Sequence, residues 1–185
     1  MNDTKIIDKL KRKGILFAKG LTPEEIDEVQ ERYNITFPPD LKDFLSSALP
    51  LSHNFVNWRD TSKENIASIY ARIDWPLEGM LFDIENNVFW YDGWGEKPDS
   101  LEDAFNICKE EFKKVPKLIP ICSHRYIPSE PNEAGNPIFS VYQTDIIYYG
   151  EDLTSYLEIE FGFKKYERMN FSSIKDIRFW IDLQG

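Results

Sequence analysis

The segment from Gly135 to Leu157, GNPIFSVYQTDIIYYGEDLTSYL, constrains the fold more than any other part of the chain. Ile138, Phe139, Val141 and Tyr142 form one apolar run and Ile146, Ile147, Tyr148 and Tyr149 the next, with only Gln143, Thr144 and Asp145 between them. β-Branched and aromatic side chains fit a pleated surface, and so short a spacer makes a hairpin the simplest connection. Neither run alternates strictly between apolar and polar, which predicts strands covered on both faces or a central pair in the sheet. Gly150 ends the second run. Leu153, Tyr156, Leu157 and Phe161 then recur at helical spacing behind Glu151 and Asp152, acids that suit the positive end of a helix dipole.

Helices are expected on both sides of this hairpin in the sequence. Ile6, Ile7 and Leu10 mark a short peripheral helix over residues 3–13 that stops at Gly14. Thr22-Pro23-Glu24-Glu25 carries a capping residue, a proline at the first helical position and the glutamate of a capping box, with Ile26, Val29 and Tyr33 as the buried stripe. Pro38-Pro39 opens a further helix buried through Leu41, Phe44 and Leu45. Ser62 starts another with Ile66, Ile69, Tyr70 and Ile73 on one face, and Trp75-Pro76 and Gly79 are expected to end it. Residues 80–84 and 88–91 then read as two strands, followed by a turn at Asp92-Gly93-Trp94-Gly95. Ser100 caps the most regular helical pattern, Leu101, Ala104, Phe105, Cys108 and Phe112. Residues 118–121 read as a strand ending at Cys122, residues 123–136 as a long loop, 163–169 as a last strand, and 172–181 as a C-terminal helix buried through Ile174, Ile177, Trp180 and Ile181. The pattern predicts one domain over residues 1–185, of α+β class, with helices packed around a central, mostly antiparallel sheet.

Chemistry is sparse. His53 and His124 are the only histidines and belong to no metal-ligand spacing; Cys108 and Cys122 have neither metal-site spacing nor the density of a disulfide framework. Cys122 and His124 stand at i and i+2, on one face of an extended strand, but nothing supplies an oxyanion donor or an orienting carboxylate, so a buried thiol beside a hydrogen-bonded imidazole is the favoured reading. Glu158 and Glu160 diverge on a helix and do not make an acid/base pair. No phosphate-binding glycine motif occurs. The sequence therefore points to no catalytic residue, no metal site and no cofactor. Lys and Arg number 22 against 32 for Asp and Glu, a net charge of −10 that repels phosphates and argues against direct nucleic-acid binding. No apolar stretch reaches the roughly 20 residues of a membrane span, and the N-terminal residues do not read as a secretory signal, so a cytoplasmic protein with reduced thiols is expected.

Three blocks, taken together, resemble the SUKH superfamily, specifically the Smi/Knr type of bacterial immunity proteins and fungal cell-wall regulators. They are GLTPEEIDEVQERYNITFPPDLKDFL, FDIENNVFWYDGWGEKP with the capped helix after it, and KLIPICSHRYIPSEP running into GNPIFSVYQTDIIYYGEDLTSYL. The chain departs from that pattern at Ala48-Leu49-Pro50, where many members have an Asn-Gly type of turn. The resemblance implies a non-enzymatic protein that binds and blocks a toxin, often a nuclease, and an acidic surface complements a basic toxin domain. The fungal relatives imply an alternative, a regulatory scaffold or peptide-binding module. Exposed acids and aromatics near the loops are the candidate partner-binding residues: Trp94, Glu96, Asp145, Glu151 and Asp152.

Overall fold

A computed structural model describes residues 3–52 and 54–184. His53 lies outside the described residues. The elements, in order, are α1 (Asp3–Arg12), β1 (Phe17–Lys19), α2 (Pro23–Tyr33), α3 (Pro39–Ser47), β2 (Ala48–Pro50), α4 (Lys63–Asn86), α5 (Leu101–Phe112), β3 (Leu118–Cys122), β4 (Arg125–Pro128), β5 (Ile138–Tyr142), β6 (Asp145–Gly150) and α6 (Leu153–Glu160). Strands β3 to β6 form an antiparallel meander in sequence order, and β1 pairs with β2 in a separate two-stranded ladder. The fold is α+β, with helices around an antiparallel sheet.

The meander separates two apolar clusters, which explains why its strands do not alternate. Ile119, Ile121, Ile127 and Ile138 join the cluster of α1, α2, α3 and α6; Leu118, Tyr126, Phe139, Val141 and Ile146 join the cluster of α4, α5 and Trp180. Successive strand residues point to opposite faces; β3 and β4 are covered on both, whereas in the β5–β6 hairpin Ile147 and Tyr142 stay exposed. The hairpin expected at Gln143-Thr144 is present, with Tyr142 opposite Asp145. It is not a central pair: β6 lies at the sheet edge, where Ile146 bridges to Gln184 and the Tyr166 hydroxyl donates to the Tyr148 carbonyl at 3.0 Å.

Helix α2 is capped as its sequence dictates. The Glu25 amide donates to Thr22 Oγ1, and Glu25 Oε2 accepts from the Thr22 amide. Arg59 then donates to both carboxylate oxygens of Glu25 and to the Lys19 and Gly20 carbonyls, tying the helix start to β1. Helix α1 is better anchored than a peripheral helix would be: Ile6, Ile7 and Leu10 are buried, and Lys9 pairs with Glu158 of α6.

The largest departure from expectation is α4, which runs unbroken for 24 residues through Pro76 and Gly79, so residues 80–84 are helix and 88–91 are irregular. Proline lacks the amide that would donate to the carbonyl four residues back. That carbonyl belongs to Arg72, and the Tyr126 hydroxyl donates to it from β4 at 2.9 Å. Gly79 lies where the helix meets the β5–β6 turn; a Cβ there would stand 2.6 Å from the Gln143 Cα. Both apparent helix breakers are therefore packing devices inside the helix.

Three other expectations are corrected. The segment 123–136 is not one loop: Ser123-His124 is a tight turn, with Ser123 at φ 51, into strand β4. The remaining loop is held by Asn136, which donates to the Pro128 and Pro131 carbonyls, and by Asp40, which accepts from the Gly135 amide. Residues 163–169 form no strand, because the Phe163 and Lys164 amides fold back onto the Glu158 carbonyl. Residues 172–181 form no α-helix. Their side chains reach partners on different sides, Lys175 at Glu133 and Ala134, Arg178 at Lys114 and Glu130, and Trp180 at the Pro116 carbonyl. Phe179 adopts φ 68, a conformation no helix contains.

Candidate partner-binding surface

One face of α4 is buried against the sheet, and the other opens on a groove. Pro76, Gly79, Met80 and Asp83 point inward. Trp75, Glu78, Phe82 and Glu85, at i, i+3, i+7 and i+10, form the outer stripe, about 15 Å long at 1.5 Å per residue. Phe105 and Lys109 of α5 face this stripe, and Tyr142 and Gln143 at the β5–β6 turn close one side. The groove encloses about 550 Å³. Trp75, Phe82 and Tyr142 remain 44%, 49% and 61% exposed, so three large aromatic side chains converge on one concavity.

The groove is held in shape from beneath. Asp83 is buried and accepts from the Thr144 amide at 2.9 Å, the Thr144 hydroxyl at 2.6 Å and the Asn87 side-chain amide at 2.6 Å. Together with Gly79 beneath Gln143, this carboxylate fixes the hairpin tip to α4 and so sets where Tyr142 stands. Trp75 also lines a smaller depression with Arg72, Ser123, His124 and Tyr126.

The residues singled out from the sequence divide into three kinds. Glu151 and Asp152 are committed internally: Glu151 pairs with Lys164 and accepts from the Asn170 amide, and Asp152 caps α6 by accepting from the Ser155 amide. The Glu151 carboxyl lies below its ordinary range; burial opposes that shift, and the Lys164 ammonium, Ser155 and the Asn170 amide outweigh it. Trp94 is half-buried among Phe89, Trp90, Tyr91 and Phe179, with part of its ring at the surface. Glu96 and Asp145 are exposed. Asp145 stands across the hairpin from Tyr142, which lines the groove, but Asp145, Trp94 and Glu96 are themselves not among its lining. Sequence pattern alone hides the aromatic stripe, because Trp75 falls at an expected helix end and Phe82 in an expected strand. The signal was available as helical spacing of Trp75, Phe82 and Glu85 continued across Pro76.

The other sequence candidates resolve into structure. Cys122 is buried, and burial raises its thiol to about 11; it lies against the Tyr156 hydroxyl. Cys108 is raised to about 12 for the same reason. His124 is exposed beside Ser123, its Nδ1 3.2 Å from Ser123 Oγ, because strand alternation stops at the turn. A buried thiol of that pKa is a poor nucleophile at neutral pH. Glu158 and Glu160 pair with Lys9 and Arg125 respectively. Lys9 and Lys13, in the basic end of α1 and just after it, lie over the Phe163 ring at 5.6 and 5.1 Å. Among the described residues no His, Cys, Asp or Glu group is placed to hold a metal ion, and no helix is long and apolar enough to cross a membrane.

A family model described as SMI1 / KNR4 family (SUKH-1) matches residues 20–166, most of the chain. Searches of curated proteins and of solved structures return no match.

Proposed function

The chain belongs to the SMI1 / KNR4 family (SUKH-1), and from that premise we propose that it is a cytoplasmic immunity protein of the bacterial kind, which binds a cognate toxin and covers its active surface without catalysing a reaction itself. Family membership carries this reading, since members are generally non-catalytic immunity or regulatory proteins. The net charge of −10 supports a basic toxin domain, such as a nuclease, as the target. A surface evolved to hold phosphates is drawn to carboxylates over long range, and that attraction raises the association rate more than it raises affinity.

Co-expression with toxin domains encoded beside the gene tests the proposal. The expected result is rescue of growth by one of them and a stoichiometric complex with it in solution; no rescue and no complex with any neighbouring toxin overturns it. The regulatory alternative is favoured by the apolar character of the groove between α4 and α5, which could seat a peptide of an endogenous partner. Salt separates the two. Occlusion of a basic toxin predicts an on-rate that falls steeply as ionic strength rises, whereas capture of a mainly apolar peptide predicts little change.

A further inference from the structure

We infer that the groove between α4, α5 and the β5–β6 turn seats an apolar anchor of the partner protein, one flanked by arginine or lysine. The inference rests on the binding-protein reading and names the partner chemistry at one place on the surface. Single exposed aromatics are ordinary on a protein surface, but Trp75, Phe82 and Tyr142 converge on one concavity with Phe105 beneath them. A volume of about 550 Å³ lies within the roughly 300–1,000 Å³ of small-molecule pockets, enough for a few partner side chains. The groove is thus an anchor site within a larger interface.

Its charge selects the occupant. Glu78 and Glu85 alternate with Trp75 and Phe82 along the same stripe of α4, and both are exposed. Asp145 adds a third carboxylate across the hairpin from Tyr142. Lys109 is the one base among the lining residues, and its ammonium is already placed over the Phe105 ring at 6.0 Å. An apolar side chain entering here brings its neighbours against carboxylates, so basic flanks are attracted and acidic or phosphate-bearing ones repelled. The seat is also pre-formed. Gly79 and Asp83 hold the turn, and Tyr126 bonds the carbonyl released by Pro76, so little ordering is required on binding.

Three synthetic peptides of equal length test this: one with leucine and tryptophan anchors between arginines, one with the same anchors between glutamates, and one with arginines around alanines. Binding is followed through the tryptophan indole resonances of the isotope-labelled protein. The first peptide is expected to shift Trp75 while Trp180 stays still, and the other two to bind about tenfold more weakly or worse. The double variant Glu78→Lys with Glu85→Lys, both on the exposed stripe, should weaken the first peptide by about tenfold and strengthen the second. Phe82→Ala with Tyr142→Ala, both exposed, should abolish the Trp75 shift with the first peptide without altering the circular dichroism of the fold. Equal binding of all three peptides, shifts confined to Trp90 and Trp94, or no shift overturns the inference. The outcomes separate from those of the immunity reading. Peptide binding in the groove with no toxin neutralised leaves the inference standing and removes the immunity role; a toxin neutralised equally well by wild type and by both double variants removes the groove.

Discussion

Replacing Asp83 by alanine tests the account of α4 at the point where the chain's local and tertiary preferences conflict. The wild-type carboxylate accepts three hydrogen bonds, two from Thr144 and one from Asn87, and is 3% exposed. Hydrogen bonds to an ionised group are worth about 1.5–3 kcal/mol each, but they are not additive, and Thr144 is only half-buried, so water replaces part of what is lost. Asp83→Ala should therefore cost about 2–4 kcal/mol, read as a lower urea midpoint with an unchanged slope in the far-ultraviolet circular dichroism. For a chain of this length that corresponds to roughly 5–15 °C in Tm. Asp83→Asn keeps one acceptor oxygen and turns an amide toward a donor, so it should cost about half as much. In a cycle with Thr144→Val, which removes the hydroxyl and keeps the shape, the coupling should reach about 1 kcal/mol. A cost for Asp83→Ala below about 1 kcal/mol, or strict additivity with Thr144→Val, would refute the claim that this carboxylate clamps the hairpin to the helix.

Gly79→Ala should destabilise by about 1–3 kcal/mol, since its Cβ would meet the Gln143 backbone; helix propensity alone predicts a gain of about 1 kcal/mol, so the sign of the change in a urea titration decides. Trp180→Ala should cost about 3–5 kcal/mol by the same measurement, because the ring is fully buried against Phe112 and Phe139 and its Nε1 donates to the Pro116 carbonyl at 2.7 Å. Glu25 is held down to about 2 by the Arg59 hydrogen bond and by the Thr22 amide, so its contribution is present above the usual carboxylate value near 4.5 and is lost as pH falls toward about 2; Glu25→Gln should flatten the stability profile across that window. Cys108 and Cys122 should resist a water-soluble disulfide reagent at about pH 8 in the folded protein and react when urea unfolds it, because burial raises both thiols.

Wherever a local rule decided the conformation, the sequence was readable. Thr22-Pro23 with Glu25 specifies a helix start within four residues, and both hydrogen bonds of the capping box are present. Ser100 caps α5 as expected, with a single bond from the Asp103 amide. The β5–β6 hairpin followed from two apolar runs with a three-residue spacer, but its covering on both faces did not: Ile147 and Tyr142 are exposed. What escaped was decided at a distance. Nothing near Pro76 in sequence announces Tyr126, fifty residues on, as the donor to the Arg72 carbonyl. Trp180 was rightly read as buried but wrongly as helical, since burial there comes from reaching Pro116 and Phe112 and not from a periodic face. Among the partner-binding candidates, Asp145 could be placed beside an aromatic wall only once Tyr142 was seen opposite it, and Glu151 and Asp152 could be recognised as internal ties only from Lys164, Asn170 and Ser155.

The positions that argued against a helix are the same ones that build the groove. Pro76, Gly79 and Asp83 lie on the inward face of α4, and each makes a contact that a regular leucine-rich helix would not: a carbonyl offered to β4, a close approach to the β5–β6 turn, and a carboxylate for that turn's amide and hydroxyl. Held on that face by β4 and by the β5–β6 turn, the helix has no freedom to roll, so Trp75, Glu78, Phe82 and Glu85 are fixed outward even though two of the four are apolar and would gain from burial. The hydrophobic stretch of α4 is thus divided between a face that ties the sheet and a face left open. Relaxing the tie by Gly79→Ala or Asp83→Ala should therefore disturb the groove before it disturbs the remote α2 cap, an order that hydrogen exchange at the Thr144 and Glu25 amides can resolve. Equal loss of protection at both amides would show that the clamp contributes only to global stability and does not hold the binding surface in place.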